Sequence, residues 1–130
     1  MAGMPAIVMA IDGRHHDVVE ALIDGGADVN LISARERTPL IIAAMTGDPH
    51  SVKTLIDGGA DVAYFSKKTG TALLSAAEKG HSEIAKILLD NGALFIKGSR
   101  KIATEIMLAA YYGHDETIEV LIDYGADVNA

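Results

Sequence analysis

The segment Gly-Gly-Ala-Asp-Val-Asn at residues 25–30 returns three more times along the chain. Its later versions are GGADVA at 58–63, NGALFI at 91–96 and YGADVN at 124–129, each beginning 33 residues after the one before. A second landmark keeps the same spacing, namely alanine pairs at 43–44, 76–77 and 109–110, each followed by a glycine at 47, 80 or 113. Two landmarks at one strict period predict an array of four stacked units.

Each unit is predicted to contain two short antiparallel helices. The first helix is expected at 39–46, 72–79 and 105–112, each after a threonine whose hydroxyl can cap it: Thr38, Thr71 and Thr104. Apolar residues at i, i+3 and i+4 predict the second helix from about 50 to 57, 82 to 91 and 115 to 124, with a counterpart near 17–24.

Glycines are expected to end both kinds of helix, because they adopt positive φ without a Cβ penalty. The first helices end at Gly47, Gly80 and Gly113, and the second helices at Gly26, Gly59, Gly92 and Gly125. In the first unit Arg14 stands at the glycine position, and we expect the neighbouring Gly13 to take the role.

These patterns predict an all-α solenoid of stacked helix–turn–helix units joined by short hairpin loops. It forms a single domain over residues 1–130, with repeats at about 1–32, 33–65, 66–98 and 99–130. A unit of this size cannot bury both of its faces alone, so its stability must come from its neighbours.

The chain resembles the ankyrin-repeat family. The resemblance is carried by RTPLIIAAMTG at 37–47, by the Gly-His pairs at 80–81 and 113–114, and by GADVN at 26–30 and 125–129. It covers nearly the whole chain and implies a module that binds other proteins. It leaves the partner open, because one scaffold serves many partners.

The chain departs from the family pattern in two places. Where that pattern has histidine after Thr-Pro-Leu, this chain has Val8, Ile41, Leu74 and Met107, so we expect apolar packing in place of hydrogen bonds. The family's hairpin loop opens with Asp and has Gly in fourth place, whereas here Ser33, Ser66 and Ser99 open it and Glu36, Thr69 and Ile102 stand fourth. Serine can still accept a turn hydrogen bond, and Gly70 is expected to serve one residue late.

Composition excludes several kinds of chemistry. Without cysteine the chain has no disulfide, no thiolate metal site and no thiol nucleophile. Its net charge of -7 argues against general attraction to nucleic acid or to an anionic membrane. No apolar run approaches the roughly 20 residues of a membrane span. The apolar start has no Lys or Arg before Arg14, so we interpret it as a buried helix and not as a signal peptide, and we expect a cytoplasmic or otherwise intracellular protein.

No catalytic arrangement is recognisable, so we expect neither an enzyme nor a cofactor or metal. His15 and His16 are adjacent and would point about 100° apart on a helix, which makes a poor chelate. Three histidines near helix starts are predicted to have capping or structural roles: His50, His81 and His114. Three aspartates that recur with the repeat are interpreted as part of the scaffold: Asp28, Asp61 and Asp127.

The resemblance implies that partners contact the hairpin tips and the exposed side of the first helices, which line a groove. The predicted tip residues are Arg35, Arg37, Lys67, Lys68, Arg100 and Lys101, six of the chain's eleven Lys and Arg. Behind them we place Met45, Glu78, Lys79, Tyr111 and Tyr112. This basic stripe predicts binding of a protein or peptide with an acidic or phosphorylated segment. Two alternatives remain open: tip cations that only confer solubility, and an assembly or inhibitory scaffold that masks a partner enzyme.

The ends of the array are unusually apolar for capping repeats, which normally turn a polar face to water. Residues 4–11 carry no charge, and Tyr111 and Tyr112 could pack against a further repeat. The interpretations are a piece of a longer array, end-to-end self-association, or a first helix that is covered by its own second helix.

Overall fold

The computed structural model describes residues 5–33, 35–93 and 104–125, except for the side chain of Thr104. These residues contain eight helices. In chain order they are α1 (Ala6–Asp12), α2 (His16–Asp24), α3 (Pro39–Thr46), α4 (Pro49–Asp57), α5 (Ala72–Lys79), α6 (Ser82–Asp90), α7 (Thr104–Tyr111) and α8 (Asp115–Asp123). Consecutive helices pack as four pairs.

The pairs stack on one another in two layers. The odd-numbered helices α1, α3, α5 and α7 contact each other in sequence, and the even-numbered helices α2, α4, α6 and α8 do the same. This arrangement is the predicted all-α solenoid.

The helix bounds follow the prediction to within one residue. The bounds of α3 and α5 are those predicted, whereas α7 begins and ends one residue early, so that Thr104 is its first residue. Among the second helices, α2 and α4 begin one residue early, and α6 and α8 end one residue early.

Side-chain caps form at two of the three threonines where they were expected, and the side chain of the third, Thr104, lies outside the described residues. The Oγ1 of Thr38 accepts a hydrogen bond from the Ile41 N–H at 3.2 Å, and that of Thr71 accepts one from the Leu74 N–H at 3.1 Å. Each hydroxyl satisfies a backbone donor that has no partner inside the helix.

Backbone conformation confirms the glycine exits but not the prediction for Gly13. Gly47, Gly80 and Gly113 have φ of 83°, 75° and 73°. In the first unit Arg14 itself adopts φ 57° while Gly13 stays right-handed at −83°. The Arg14 guanidinium donates to the Thr46 carbonyl oxygen at 2.6 Å, a contact with the next helix pair that helps to offset the backbone strain.

The core lies between the stacked pairs. The small side chains of Ala43, Ala44, Ala76 and Ala77 have no exposed area, which lets neighbouring helices approach closely. In α1 the residues Ile7, Val8, Ala10 and Ile11 are buried, as expected for the uncharged segment 4–11.

Apolar packing at the histidine position of the family pattern holds for most of the units. Val8 and Ile41 are buried and Leu74 is half-buried, but Met107 is 58% exposed. The prediction is therefore wrong for Met107, because no described helix packs on the outer side of α7 as α5 packs on α3.

Candidate partner-binding groove

The two hairpin loops before α3 and α5 place their left-handed residue at different positions. In the first, the Ser33 N–H donates to the Arg37 carbonyl at 2.9 Å, and Ser33 Oγ accepts from the Arg37 N–H at 3.3 Å. Glu36, in fourth place, takes the positive φ of 58° that the missing glycine would have taken. Such a conformation is uncommon for a residue with a Cβ.

The second hairpin loop confirms the role expected for Gly70. Ser66 and Gly70 exchange two backbone hydrogen bonds of 2.8 Å, and Gly70 has φ 76°. The buried Ser66 Oγ accepts from the N–H groups of Lys68 and Thr69. The serine turns predicted at Ser33 and Ser66 therefore form, whereas Ser99 and Ile102 lie outside the described residues.

The tips of the two hairpin loops are neighbours. Lys68 Nζ lies 4.0 Å from Glu36 Oε2, and Arg35, Lys67 and Lys68 are exposed. The third predicted pair of tip cations, Arg100 and Lys101, lies outside the described residues. Four of the six predicted tip residues can therefore be placed.

A cleft of about 420 Å³ opens between the two hairpin loops and α5. Five of the predicted partner-binding residues line it: Arg37, Met45, Lys67, Lys68 and Glu78. We call it the basic cleft. Arg35, Lys79, Tyr111 and Tyr112 are not among its lining residues. Tyr111 and Tyr112 are 81% and 51% exposed, and their rings meet edge to face at 4.9 Å.

Apart from Met45, the apolar lining of the basic cleft was missed from the sequence. Phe65, Leu74 and Leu108 take part, and Phe65 is 49% exposed despite its size. A signal was present, since Phe65 directly precedes a hairpin loop and Ile32, one period earlier, is 56% exposed. Leu74 was interpreted only as packing, because it replaces the family's histidine.

Polar groups in the cleft have unused hydrogen-bonding capacity. The Nε of Arg37 and the Oγ1 of Thr69 are buried and have no hydrogen-bond partner among the described residues. Such groups normally find a partner. The positive charges of Arg37, Lys67 and Lys68 exceed the single negative charge in the lining, that of Glu78. The cleft is therefore suited to an anionic ligand.

The histidines before the second helices link neighbouring pairs and do not cap helices. His81 and His114 make no side-chain cap hydrogen bond. The Nε2 of His81 lies 3.4 Å from the Met45 carbonyl oxygen, and that of His114 lies 3.0 Å from the Glu78 carbonyl oxygen. Of the two predicted roles, capping or structural, His81 and His114 therefore have the structural one. His50 is also out of register, since Asp48 stands 33 residues before His81.

Asp48 caps α4 and ties it to α2. Its carboxylate accepts hydrogen bonds from the His50 N–H at 3.2 Å and from the Ser51 hydroxyl at 2.8 Å, and His16 Nε2 lies 2.6 Å away. Burial raises the pKa of Asp48, but the hydrogen bonds from Ser51 and His16 and the charge of His16 outweigh it, so the pKa lies below its ordinary value.

The imidazole of His50 adds a second link between α2 and α4. It stacks on His16 at 4.3 Å and lies 3.6 Å from the Glu20 carboxylate. Within the described ranges no group of three His, Asp or Glu side chains could hold a metal ion. The His16, His50, Asp48 and Glu20 side chains therefore form a junction between the first two helix pairs.

Comparison with known families agrees with this architecture. In the described part of the chain no helix is long and apolar enough to cross a membrane. The model of the family described as ankyrin repeats (3 copies) matches residues 6–98 and 65–130. The comparison with curated proteins gave no match. Since the family model spans nearly all of the sequence, the chain belongs to the ankyrin-repeat family, whose members generally act as protein–protein interaction modules.

Proposed function

We propose that the basic cleft binds an extended segment of a partner protein that carries acidic residues around one apolar side chain. The observation behind this proposal is the meeting of Arg37, Lys67 and Lys68 with an exposed Phe65 in one cleft of about 420 Å³. Ligand sites commonly combine an apolar surface with a few polar groups that fix orientation.

The apolar part of the cleft supplies most of the proposed affinity. Phe65, Met45 and Leu74 come from two successive helix pairs and surround the same space. Burying one apolar side chain of a partner here contributes about 1.5–3 kcal/mol before the cost of ordering the peptide. An aromatic ring beside such a pocket is a typical anchor of recognition surfaces.

The cations supply orientation and selectivity. Lys67 and Lys68 stand at the rim, where solvent screens them, so their main effect is on charge selection and on the rate of encounter. Arg37 differs from them, because its Nε is buried without a partner. A carboxylate or phosphate that reaches it would form a charge-assisted hydrogen bond.

The test uses fluorescence anisotropy with a labelled peptide that has one leucine flanked by glutamates. We expect saturable binding that weakens as salt is added. In the double variant Lys67→Glu/Lys68→Glu the affinity should fall at least about tenfold. Unchanged affinity in that variant would contradict the proposal.

The matched control is Lys53→Glu/Lys86→Glu, which makes the same change of net charge at exposed positions on α4 and α6. These two helices belong to the layer of even-numbered helices, which does not line the basic cleft. The control should therefore bind nearly as well as the unmodified chain. A second peptide with phosphoserine in place of the glutamates tells which anion is preferred, and Phe65→Ala should weaken both peptides.

A further inference from the structure

A ring-on-glycine contact joins successive helix pairs. The His81 ring lies over Gly47 and the His114 ring over Gly80, so closely that a Cβ on either glycine would collide with the imidazole. Each of these histidines also approaches a carbonyl oxygen of the preceding pair. The contact therefore recurs with the repeat: the histidine ring of one helix pair packs on the glycine of the pair before it.

At the C-terminal face of α7 and α8, the glycine of this series is not covered by any described histidine ring. Gly113 has the same left-handed backbone as Gly47 and Gly80, yet no described atom lies within 4 Å of the position of its Cβ. The corresponding histidine of the first pair is His15, which stands 66 residues before His81 in the same register and has no preceding helix pair among the described residues. His15 is exposed, and its ring lies against Gly13 of its own chain.

The surfaces around Gly113 and His15 are apolar at positions whose counterparts are buried in the interior of the array. On the α7–α8 face Ala110 is exposed, whereas its counterparts Ala44 and Ala77 are fully buried. Met107 and Ile122 beside it are 58% and 44% exposed.

The α1–α2 face shows the same contrast from the other side. Val18 is 48% exposed, whereas its counterparts in α6 and α8, Ile84 and Thr117, are each 1% exposed. Met9 on α1 is 58% exposed. Both faces therefore have the composition of an interface between repeats.

We propose that the α1–α2 face of one copy of this chain docks on the α7–α8 face of a second copy, with His15 over Gly113. The contact continues the register that already joins α5–α6 to α7–α8. It is heterologous, because two different surfaces meet, and such a contact extends into chains unless it closes into a ring. Apart from Leu108 on α7, the lining of the basic cleft comes from the two interior units, and none of the residues named on the two docking faces is part of it.

Charge gives the association a recognisable salt dependence. Two copies with a net charge of -7 repel each other at low ionic strength. Added salt screens that repulsion while the apolar contact remains. Association should therefore strengthen with salt, which is opposite to the salt dependence expected for an acidic peptide in the basic cleft.

The experiment is sedimentation velocity on the 130-residue chain over a wide concentration range. We expect the average mass to rise with concentration and to pass that of a dimer. A chain that stays monomeric at all concentrations overturns the proposal.

Two variants with one damaged face each then identify the surfaces. Val18→Glu damages the α1–α2 face and Met107→Glu the α7–α8 face, so each variant alone should remain monomeric. An equal mixture should form pairs of one copy of each, because each still has the face that the other lacks. A mixture that stays monomeric, or a dimer that forms in either variant alone, overturns the proposal.

The matched control is Ile32→Glu, which makes the same kind of change at an exposed apolar residue between the first two pairs. It should associate like the unmodified chain. Pair formation in the mixture requires folded proteins, so it also shows that neither substitution acts by unfolding the chain.

Discussion

The His114 Nε2 lies 3.0 Å from the Glu78 carbonyl oxygen while its ring covers Gly80, so one side chain ties α8 to the end of α5. The glycine is needed twice here. It provides the left-handed φ of 75° at the helix exit, and it leaves room for the ring. The histidine and the glycine of the Gly-His pair thus act in different contacts, since each histidine covers the glycine of the preceding unit.

Gly80→Ala tests this double role against Gly113→Ala. Both substitutions place a Cβ on a left-handed residue, at a cost of about 1–2 kcal/mol. Only at Gly80 does the new methyl group also meet a histidine ring. Chemical denaturation of dilute protein should show a larger loss of stability for Gly80→Ala, and equal losses would contradict the contact.

His114→Ala should loosen the last helix pair more than the rest of the array. The change removes one hydrogen bond and the packing of a half-buried ring, worth about 1 kcal/mol. Because a repeat array depends on nearest-neighbour contacts, hydrogen exchange should accelerate mainly in α7 and α8. Uniform acceleration across all the helices would argue against a local link.

The period, the helices and their caps could be predicted from the sequence because they depend on local chemistry. Thr38 and Thr71 cap the helices that follow them, and the exit glycines have positive φ, as the residue types require. Arg14 could not be predicted in this way. Its strained backbone is offset by a bond to Thr46, 32 residues away, and no local pattern reports such a partner.

The candidate site could be predicted only in part, because some of its features depend on local sequence and others on the stacking of the helix pairs. Charge and register were enough to place Arg37, Lys67 and Lys68 near one another. The contribution of Phe65 depends on how two hairpin loops and α5 enclose a space, which is a property of the stacked array. The roles of Arg100 and Lys101 stay predictions, since those residues lie outside the described ranges.

Asp48→Asn should lower stability near neutral pH and flatten its dependence on acid. The replacement keeps a cap at α4 but removes the charge that the His16 and Ser51 hydrogen bonds stabilise. Because the pKa of Asp48 is lowered on folding, its contribution is fully present above the unfolded value of 3.8. The contribution is lost as the pH falls through the folded pKa. Denaturation curves from pH 7 to strongly acid conditions should therefore converge for the two proteins.

Asn30→Ala should weaken the junction between the first two units. The Asn30 side chain donates to the Gly59 carbonyl at 3.1 Å and accepts from the Asp61 N–H at 2.7 Å. The equivalent residue one period later is Ala63, which has no side-chain amide. Loss of both bonds should cost about 1–2 kcal/mol in chemical denaturation. Ala63→Ser, at an exposed loop position without such a bridge, should leave stability nearly unchanged.

Glu36→Gly should stabilise the chain although it removes a side chain. Glu36 is held at φ 58°, which costs about 1–2 kcal/mol for a residue with a Cβ. Glycine removes that strain but adds about 0.4–1 kcal/mol of conformational entropy to the unfolded chain. The 4.0 Å pair with Lys68 is exposed and contributes little. The balance predicts a gain of a few tenths to about 1 kcal/mol, measured as a higher denaturation midpoint at an unchanged slope. Glu83→Gly, at an exposed right-handed position within α6, should have the opposite sign, because there glycine adds entropy to the unfolded chain and relieves no strain.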